Sequence, residues 1–368
     1  MTTVVHDEEQ LLRARLALAS EVEARCVVLS SRVVEAFLRV PRHPFVPGFY
    51  REEDGVHRPV RAGEAGWLRE VYADRVLVTE VEGVHAESAG AEGVVGAPTS
   101  SSTLPSLMAD MLDALDVRPG DRVLEVGTGT GYNAALLCEL AGAAEVTTVD
   151  RTGPLVAVAR TRLHEAGFEP TVIRADGVEG YPAGGPYDRI IATCGVRRIP
   201  RAWLEQCAPD GLIVAPVLGA IARLTKLPNG RAAGRFLARP AGFMPLRSGG
   251  EAGTETPAPT RSRTTATGPR VLDDPGFSFW ADLHLAPTVT RHGHTLHDVA
   301  DGSVARSEGP ATVALGGPRD LWHTVEAARQ SWLAHHRPRR EWLTVEAGPE
   351  AQSVRYTAPA GTTVRWVL

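Results

Sequence analysis

Residues 121–133 read Asp-Arg-Val-Leu-Glu-Val-Gly-Thr-Gly-Thr-Gly-Tyr-Asn. Arg122–Val126 is a short apolar run with one acid near its end, the pattern of a buried strand. Gly127 to Gly131 then turn the chain tightly, and Tyr132–Leu140 has the composition of a helix. Strand, glycine turn and helix open a nucleotide-binding α/β unit. Glycine lets the backbone bend sharply and lets a ligand touch the main chain, because no Cβ intervenes.

The spacing selects the ligand. A dinucleotide fingerprint is Gly-x-Gly-x-x-Gly, with a pyrophosphate on the helix N-terminus. Here the spacing is Gly-x-Gly-x-Gly, preceded by Glu125. A carboxylate there repels a pyrophosphate and suits a ligand carrying positive charge, such as the ammonium of S-adenosylmethionine. Asp150 ends the next apolar run, Glu145-Val-Thr-Thr-Val149, where a carboxylate can accept from both ribose hydroxyls. Asp176-Gly177 follows a third strand-like run, Thr171-Val-Ile-Arg174, and could hold the adenine amino group. A loop without a ligand is the bland alternative; three acids in this order argue against it. The candidate cofactor residues are therefore Glu125, Gly127, Thr128, Gly129, Gly131, Tyr132, Asn133, Asp150, Arg151, Asp176 and Gly177.

Working outward, strands are expected at 122–126, 145–149, 171–174, 188–192 and 211–217, with helices at 131–141, 154–166 and 201–207. Such alternation makes a parallel sheet covered on both faces, with ligands at the carboxyl ends of its strands. Leu104, Leu107, Met108, Met111, Leu112 and Leu115 mark an amphipathic helix stopped near Pro119-Gly120. Residues 8–40 read as helices that Pro41, Pro44 and Pro47 end. Residues 48–100 hold one strand-like run, Arg75–Thr79, and are long enough for a lid. Residues 248–269 are polar and rich in Pro, Gly and Thr, a flexible linker. Residues 270–368 regain alternation and tryptophans, with a helix near Asp320 to His335. The expected division is a helical and lid region at 1–100, a cofactor domain at 101–247, the linker, and an accessory domain at 270–368. The expected fold is α/β, a Rossmann-like class I methyltransferase sheet with an N-terminal helical segment and a smaller C-terminal α+β domain.

Net charge is −5 and the pI is near 6.2, against the basic excess of a general nucleic-acid binder. The beginning of the chain lacks a basic region followed by an apolar stretch, and no apolar run reaches membrane-spanning length. A cytoplasmic protein without membrane contact is expected. Cys26, Cys138, Cys194 and Cys207 show no Cys-x-x-Cys spacing and read as reduced thiols. His284, His292, His294 and His297 cluster without a zinc signature, so a hairpin with exposed histidines is expected and no metal.

Several stretches carry a resemblance. These are Val33-Val-Glu-Ala-Phe-Leu-Arg-Val-Pro-Arg-His-Pro-Phe-Val-Pro47, Tyr72-Ala-Asp74, Arg118 through Ala135, Asp176-Gly177, Tyr187-Asp-Arg-Ile-Ile-Ala-Thr193 and Gly211-Leu-Ile-Val-Ala-Pro-Val217. In this order they resemble the protein-L-isoaspartate O-methyltransferases, over residues 20 to 247. The proline-rich stretch is the specific part; many methyltransferases share the glycine turn. The family usually has Ser-Gln-Pro before the helix that precedes the first strand. Here Thr103-Leu104-Pro105 stands in that place, keeping a hydroxyl and losing an amide. The resemblance makes Thr103 the candidate catalytic residue with Ser102 in reserve, although the same run also suits a helix N-cap. The tail lies outside the housekeeping repair enzyme. It is similar in this to extended members that act on ribosomally made peptides, methylating an aspartate of a cyclised precursor so that the ester closes to an aspartimide.

The resemblance implies S-adenosylmethionine-dependent methylation of aspartyl or isoaspartyl carboxyls in a protein or peptide. A carboxyl of ordinary pKa about 3.9 is already ionised at neutral pH, so positioning and a dry pocket suffice and no strong base is needed. Two rivals stand beside it. One is a peptide-binding relative that has lost catalysis, favoured by Leu104. The other is a methyltransferase of RNA or small molecules. Thr193-Cys-Gly-Val196, where an Asn-Pro-Pro-Tyr-type motif would serve a base amine, counts against a nucleobase.

Overall fold

The computed structural model describes residues 7–247 and 256–368. The chain divides into two units, Met1–Cys194 with Ala202–Ala215, and Gly195–Arg201 with Pro216–Leu368.

The first unit begins with α1 (Glu8–Arg25) and α2 (Ser31–Arg39). The side chain of Asp7 caps α1 by accepting from Glu9 N, and Glu8 and Glu9 favour its positive end. Then come β1 (Gly48–Glu53), β2 (Val56–Arg61), α3 (Trp67–Val71), β3 (Leu77–Val81), β4 (Val84–His85), β5 (Pro98–Ser102) and α4 (Pro105–Leu115). The region expected as a lid is thus an antiparallel sheet. β1 lies between β2 and β3, and β3 pairs with β5. Asp54-Gly55 turns β1 into β2 with φ of 53° and 79°, the left-handed pair that a tight hairpin requires.

The second half of this unit alternates as expected: β6 (Val123–Val126), α5 (Tyr132–Ala141), β7 (Val146–Asp150), α6 (Gly153–Glu165), β8 (Thr171–Arg174), β9 (Tyr187–Ala192), α7 (Arg201–Gln206) and β10 (Cys207–Val217). The order is β8-β7-β6-β9-β10, all parallel. All four residues of β6 are buried, as a strand covered on both faces must be. The chain passes to β7 on one side of β6 and returns to β9 on the other. The carboxyl ends at this reversal are the place where such sheets bind ligands.

The second unit holds β11 (Ala220–Lys226), β12 (Ala232–Pro240), β13 (Arg261–Thr264), α8 (Pro275–His284), β14 (Val289–His292), β15 (Thr295–Asp298), β16 (Val304–Ser307), β17 (Thr312–Gly316), α9 (Leu321–Ala334), β18 (Thr344–Ala347), β19 (Gln352–Thr357) and β20 (Thr363–Val367). One sheet runs β13-β17-β16-β15-β14, and the other elements include the run β20-β19-β18-β12-β11. Trp280 of α8 anchors the core, with its ring centroid 4.7 Å from Trp366 and 5.8 Å from Tyr356.

Three expectations change here. The boundary falls within β10 instead of at 247, because β11 and β12 pair with each other and β12 pairs with β18 of the tail. Of the segment expected as a linker, 248–255 lies outside the described residues, while Arg261–Thr264 is a strand paired with β17 and Thr265 and Thr267 are buried. The histidine hairpin forms as β14 and β15, but His297 faces the core instead of solvent.

Candidate active site

The glycine loop needs its glycines. Gly127, Gly129 and Gly131 have φ of 103°, 50° and 89°. Each is left-handed, a region that side chains with a Cβ enter at a cost. Gly127 N donates to Val149 O and Gly131 N to Thr128 O, so the loop is tied to β7 and closed on itself.

Beneath the loop sits Glu125, with no exposed surface. Its Oε1 accepts from Asn133 Nδ2 at 2.7 Å and its Oε2 from Thr148 Oγ1 at 2.6 Å. Thr148 Oγ1 in turn lies 2.7 Å from Thr128 Oγ1 in the loop. Burial pushes the Glu125 carboxyl up to about 7, against the pull of these two hydrogen bonds. A cation at the loop would favour its ionised form. Asn133 Oδ1 is buried without a partner among the described residues.

Asp150 and Asp176 stand at the expected strand ends. Asp150 Oδ2 accepts from Gly129 N at 3.3 Å and Oδ1 from Thr152 N at 3.0 Å, bracing the loop on the tip of β7. Asp176 is exposed, with Oδ1 accepting from Val178 N at 2.9 Å. Gly177 is buried, and its carbonyl accepts from Trp203 Nε1 at 2.7 Å. Arg151 is exposed, and its carbonyl accepts from Arg174 Nε. The structure therefore gathers Glu125, the glycines, Thr128, Asn133 and Asp150 around one loop. Tyr132 differs: its ring packs between Phe37 and Phe45, at centroid distances of 6.3 and 5.8 Å, and its hydroxyl is buried without a partner among the described residues.

The hydroxyl run passes close to this loop. A Cβ placed on Gly129 would lie 3.8 Å from Ser100 Oγ and 3.9 Å from Ser101 O. Ser102 ends β5, is 3% exposed, and its Oγ accepts from Arg42 Nη2 at 3.0 Å. Ser102 is thus held inside the protein by a cation. Thr103 is half-buried, and its hydroxyl has no partner among the described residues. Neither residue caps α4. The cap position is Leu104, without a side-chain bond, and the cap comes from far along the chain. Asp74 Oδ1 accepts from Ser106 N at 2.8 Å and Oδ2 from Ser106 Oγ at 2.7 Å. Sequence reasoning missed both Arg42 and Asp74 as site-building residues, though each lies in a quoted motif. A charged residue set between prolines, as Arg42 is, was the available signal.

A glycine loop over a buried carboxylate, an unpartnered buried acceptor and a second carboxylate at the next strand tip fit S-adenosylmethionine. The fold and site define a class I methyltransferase. The family described as protein-L-isoaspartate(D-aspartate) O-methyltransferase matches residues 13–246, and the chain belongs to that family, with S-adenosylmethionine as its cofactor. A protein-L-isoaspartate O-methyltransferase of Methanopyrus kandleri is 34% identical over 217 residues, 58% of this chain and 81% of that protein. One from Aeropyrum pernix is 33% identical over 234 residues, 62% of this chain and 77% of that protein. A solved protein-L-isoaspartate O-methyltransferase is similar with a TM-score of 0.55 at 23% identity, covering 93% of this chain and 99% of its own. That share has to include most of residues 270–368, so the tail's fold is shared beyond the region that carried the resemblance. Among the described residues no helix is long and apolar enough to cross a membrane, and no three metal-ligating side chains converge.

Proposed function

We propose that the protein methylates the side-chain carboxylate of an isoaspartyl or aspartyl residue in a protein or peptide. The observation that carries this reading is the partnerless Thr103 hydroxyl at the end of a serine strand that runs beside the glycine loop. The names of the relatives support isoaspartate as the acceptor.

The cofactor would be held by the loop at Gly127–Gly131, with Glu125 beneath and Asp150 and Asp176 at the strand tips. When bound, S-adenosylmethionine supplies an electrophilic methyl group. The chain's own part is positional. Thr103 donates to one oxygen of the acceptor carboxylate and fixes its direction. The carboxylate is ionised at neutral pH and needs no base. Alignment of this kind is worth roughly 7–11 kcal/mol where it is good. The ester is a better electrophile than the acid. The next backbone nitrogen attacks it, methanol leaves, and a five-membered succinimide forms.

The narrower reading, maturation of a ribosomally made peptide through an aspartimide, rests on the tail. Since a solved isoaspartate methyltransferase shares the fold over that tail, its presence does not single out a peptide precursor. Intact mass spectrometry with labelled cofactor decides between them. An isoaspartyl test peptide gaining one methyl supports the broad reading. Methylation only of a cyclised precursor, followed by loss of methanol, supports the narrow one. No methyl on either would refute both.

A further inference from the structure

We propose that Arg42 is a positioning residue for methyl transfer, one that locks the Thr103 segment in register with the cofactor loop. Arg42 is fully buried. Its Nη1 donates to Val71 O at 3.0 Å and Ala73 O at 3.1 Å. Its Nη2 donates to Arg75 O at 3.2 Å, Thr103 O at 3.1 Å, Ser102 Oγ at 3.0 Å and Ser102 O at 3.5 Å. Its Nε donates to Ser102 Oγ at 3.3 Å. Not one of these acceptors is a carboxylate. A buried charge spent on carbonyls and a hydroxyl is a costly way to fill space, and an apolar side chain would do that better.

The placement of the guanidinium accounts for its use. Four of its bonds converge on Ser102 and Thr103, the two residues that follow Ser100 and Ser101, whose atoms approach the loop at Gly129. On another side its Cζ lies 5.9 Å from the ring centroid of Tyr132, the first residue of α5 after Gly131. One rigid cation therefore touches the acceptor segment, the 71–75 turn and the helix that the cofactor loop begins. The planar fork suits this role; a lysine offers a point charge with no fixed directions. Burial pushes Arg42 down to about 10, which leaves it charged at neutral pH. With the Thr103 carbonyl and the Ser102 hydroxyl both engaged, the hydroxyl of Thr103 stays available to meet a substrate. The inference rests on the proposed acceptor role of Thr103.

The test uses the full chain with Arg42→Lys, Thr103→Ala and the pair. Arg42→Lys should keep S-adenosylhomocysteine affinity within about threefold while kcat on an isoaspartyl peptide falls on the order of 100-fold, as misplacement of about 1 Å does. In the Thr103→Ala background the same change should add little, because it acts through Thr103. Losses that multiply would overturn the proposal. If Arg42→Lys fails to fold, Ser102→Ala removes two of the guanidinium's bonds and should show the same non-additivity, and wild-type kcat would overturn the proposal. Hydrogen exchange gives a readout independent of substrate. S-adenosylhomocysteine should protect the amides of residues 100–104 in the wild type and much less in Arg42→Lys or Ser102→Ala. Equal protection in all, or none in the wild type, would refute the coupling. A wild type inactive on isoaspartyl peptide but showing this protection pattern would count against the acceptor and uphold Arg42.

Discussion

Thr193 Oγ1 donates to Gly127 O across 2.6 Å, and a Cβ added at Gly127 would meet that same Oγ1 at 2.5 Å. The residue after β9 thus closes over the first glycine of the loop, whose φ of 103° already excludes most side chains. Gly127→Ala should lose cofactor binding in calorimetry. Its backbone strain alone should cost about 1–3 kcal/mol in denaturant melts. Adding Thr193→Ala removes the clash but not the strain, so partial recovery is expected. Full recovery would show that the left-handed conformation carries no cost here.

Glu125→Gln should separate stability from binding. The buried carboxyl, at about 7, holds its proton more tightly than the ordinary value of 4.5 in the unfolded chain. Below both values the group is neutral in either state and costs nothing. As pH rises between them the unfolded chain ionises first, so this group's contribution falls until about 7 and is constant above. The glutamine variant should therefore melt higher than wild type at pH 8, by an amount worth at most about 3 kcal/mol. The difference should shrink by pH 5. Cofactor affinity should drop roughly tenfold, as for a lost charged hydrogen bond or ion pair. A variant that melts below wild type at pH 8 would refute this account of the burial cost.

Asp150→Ala removes the acceptor for Gly129 N and Thr152 N together. Loss of the brace, together with the ribose contact proposed for Asp150, should weaken cofactor binding roughly 10–100-fold. Asp150→Asn keeps one acceptor and should fall between. Unchanged titration curves for both would take Asp150 out of the site.

Asp74→Ala should test the remote cap. It strips α4 of its partner at Ser106 and leaves Arg25 without the carboxylate oxygen 3.1 Å from its Nε. A loss of about 1–2 kcal/mol is expected, the usual worth of an N-cap. Asp74→Asn should retain part of it. Equilibrium unfolding of the three proteins side by side checks the order.

The parallel half of the first unit was legible because its signals are local. Val123–Val126, Val146–Asp150 and Thr171–Arg174 each show a short apolar run, and each strand tip announces itself with an acid or a glycine. What sequence could not give depends on distant pairing. Asp74 caps a helix 32 residues on, and Arg42 reaches a carbonyl 61 residues on. No window of neighbouring residues carries such information. The boundary was misplaced for the same reason, since Ala232–Ala347 and Arg235–Thr344 are partners over a hundred residues apart. Residues 261–264 looked like linker because Arg-Ser-Arg-Thr has little hydrophobicity, yet an edge strand needs only one neighbour to satisfy its backbone. Ser102 misled more subtly: a hydroxyl beside the right motif gives no hint that a buried guanidinium already holds it.

A Glu125 carboxyl pushed up to about 7 has a calorimetric consequence. If a cationic cofactor stabilises the ionised carboxyl, binding expels a proton into the buffer. The observed heat then includes the buffer's own heat of protonation. Titrations in phosphate and in Tris at one pH should differ in apparent enthalpy while agreeing in affinity, and the slope against buffer enthalpy counts the protons released.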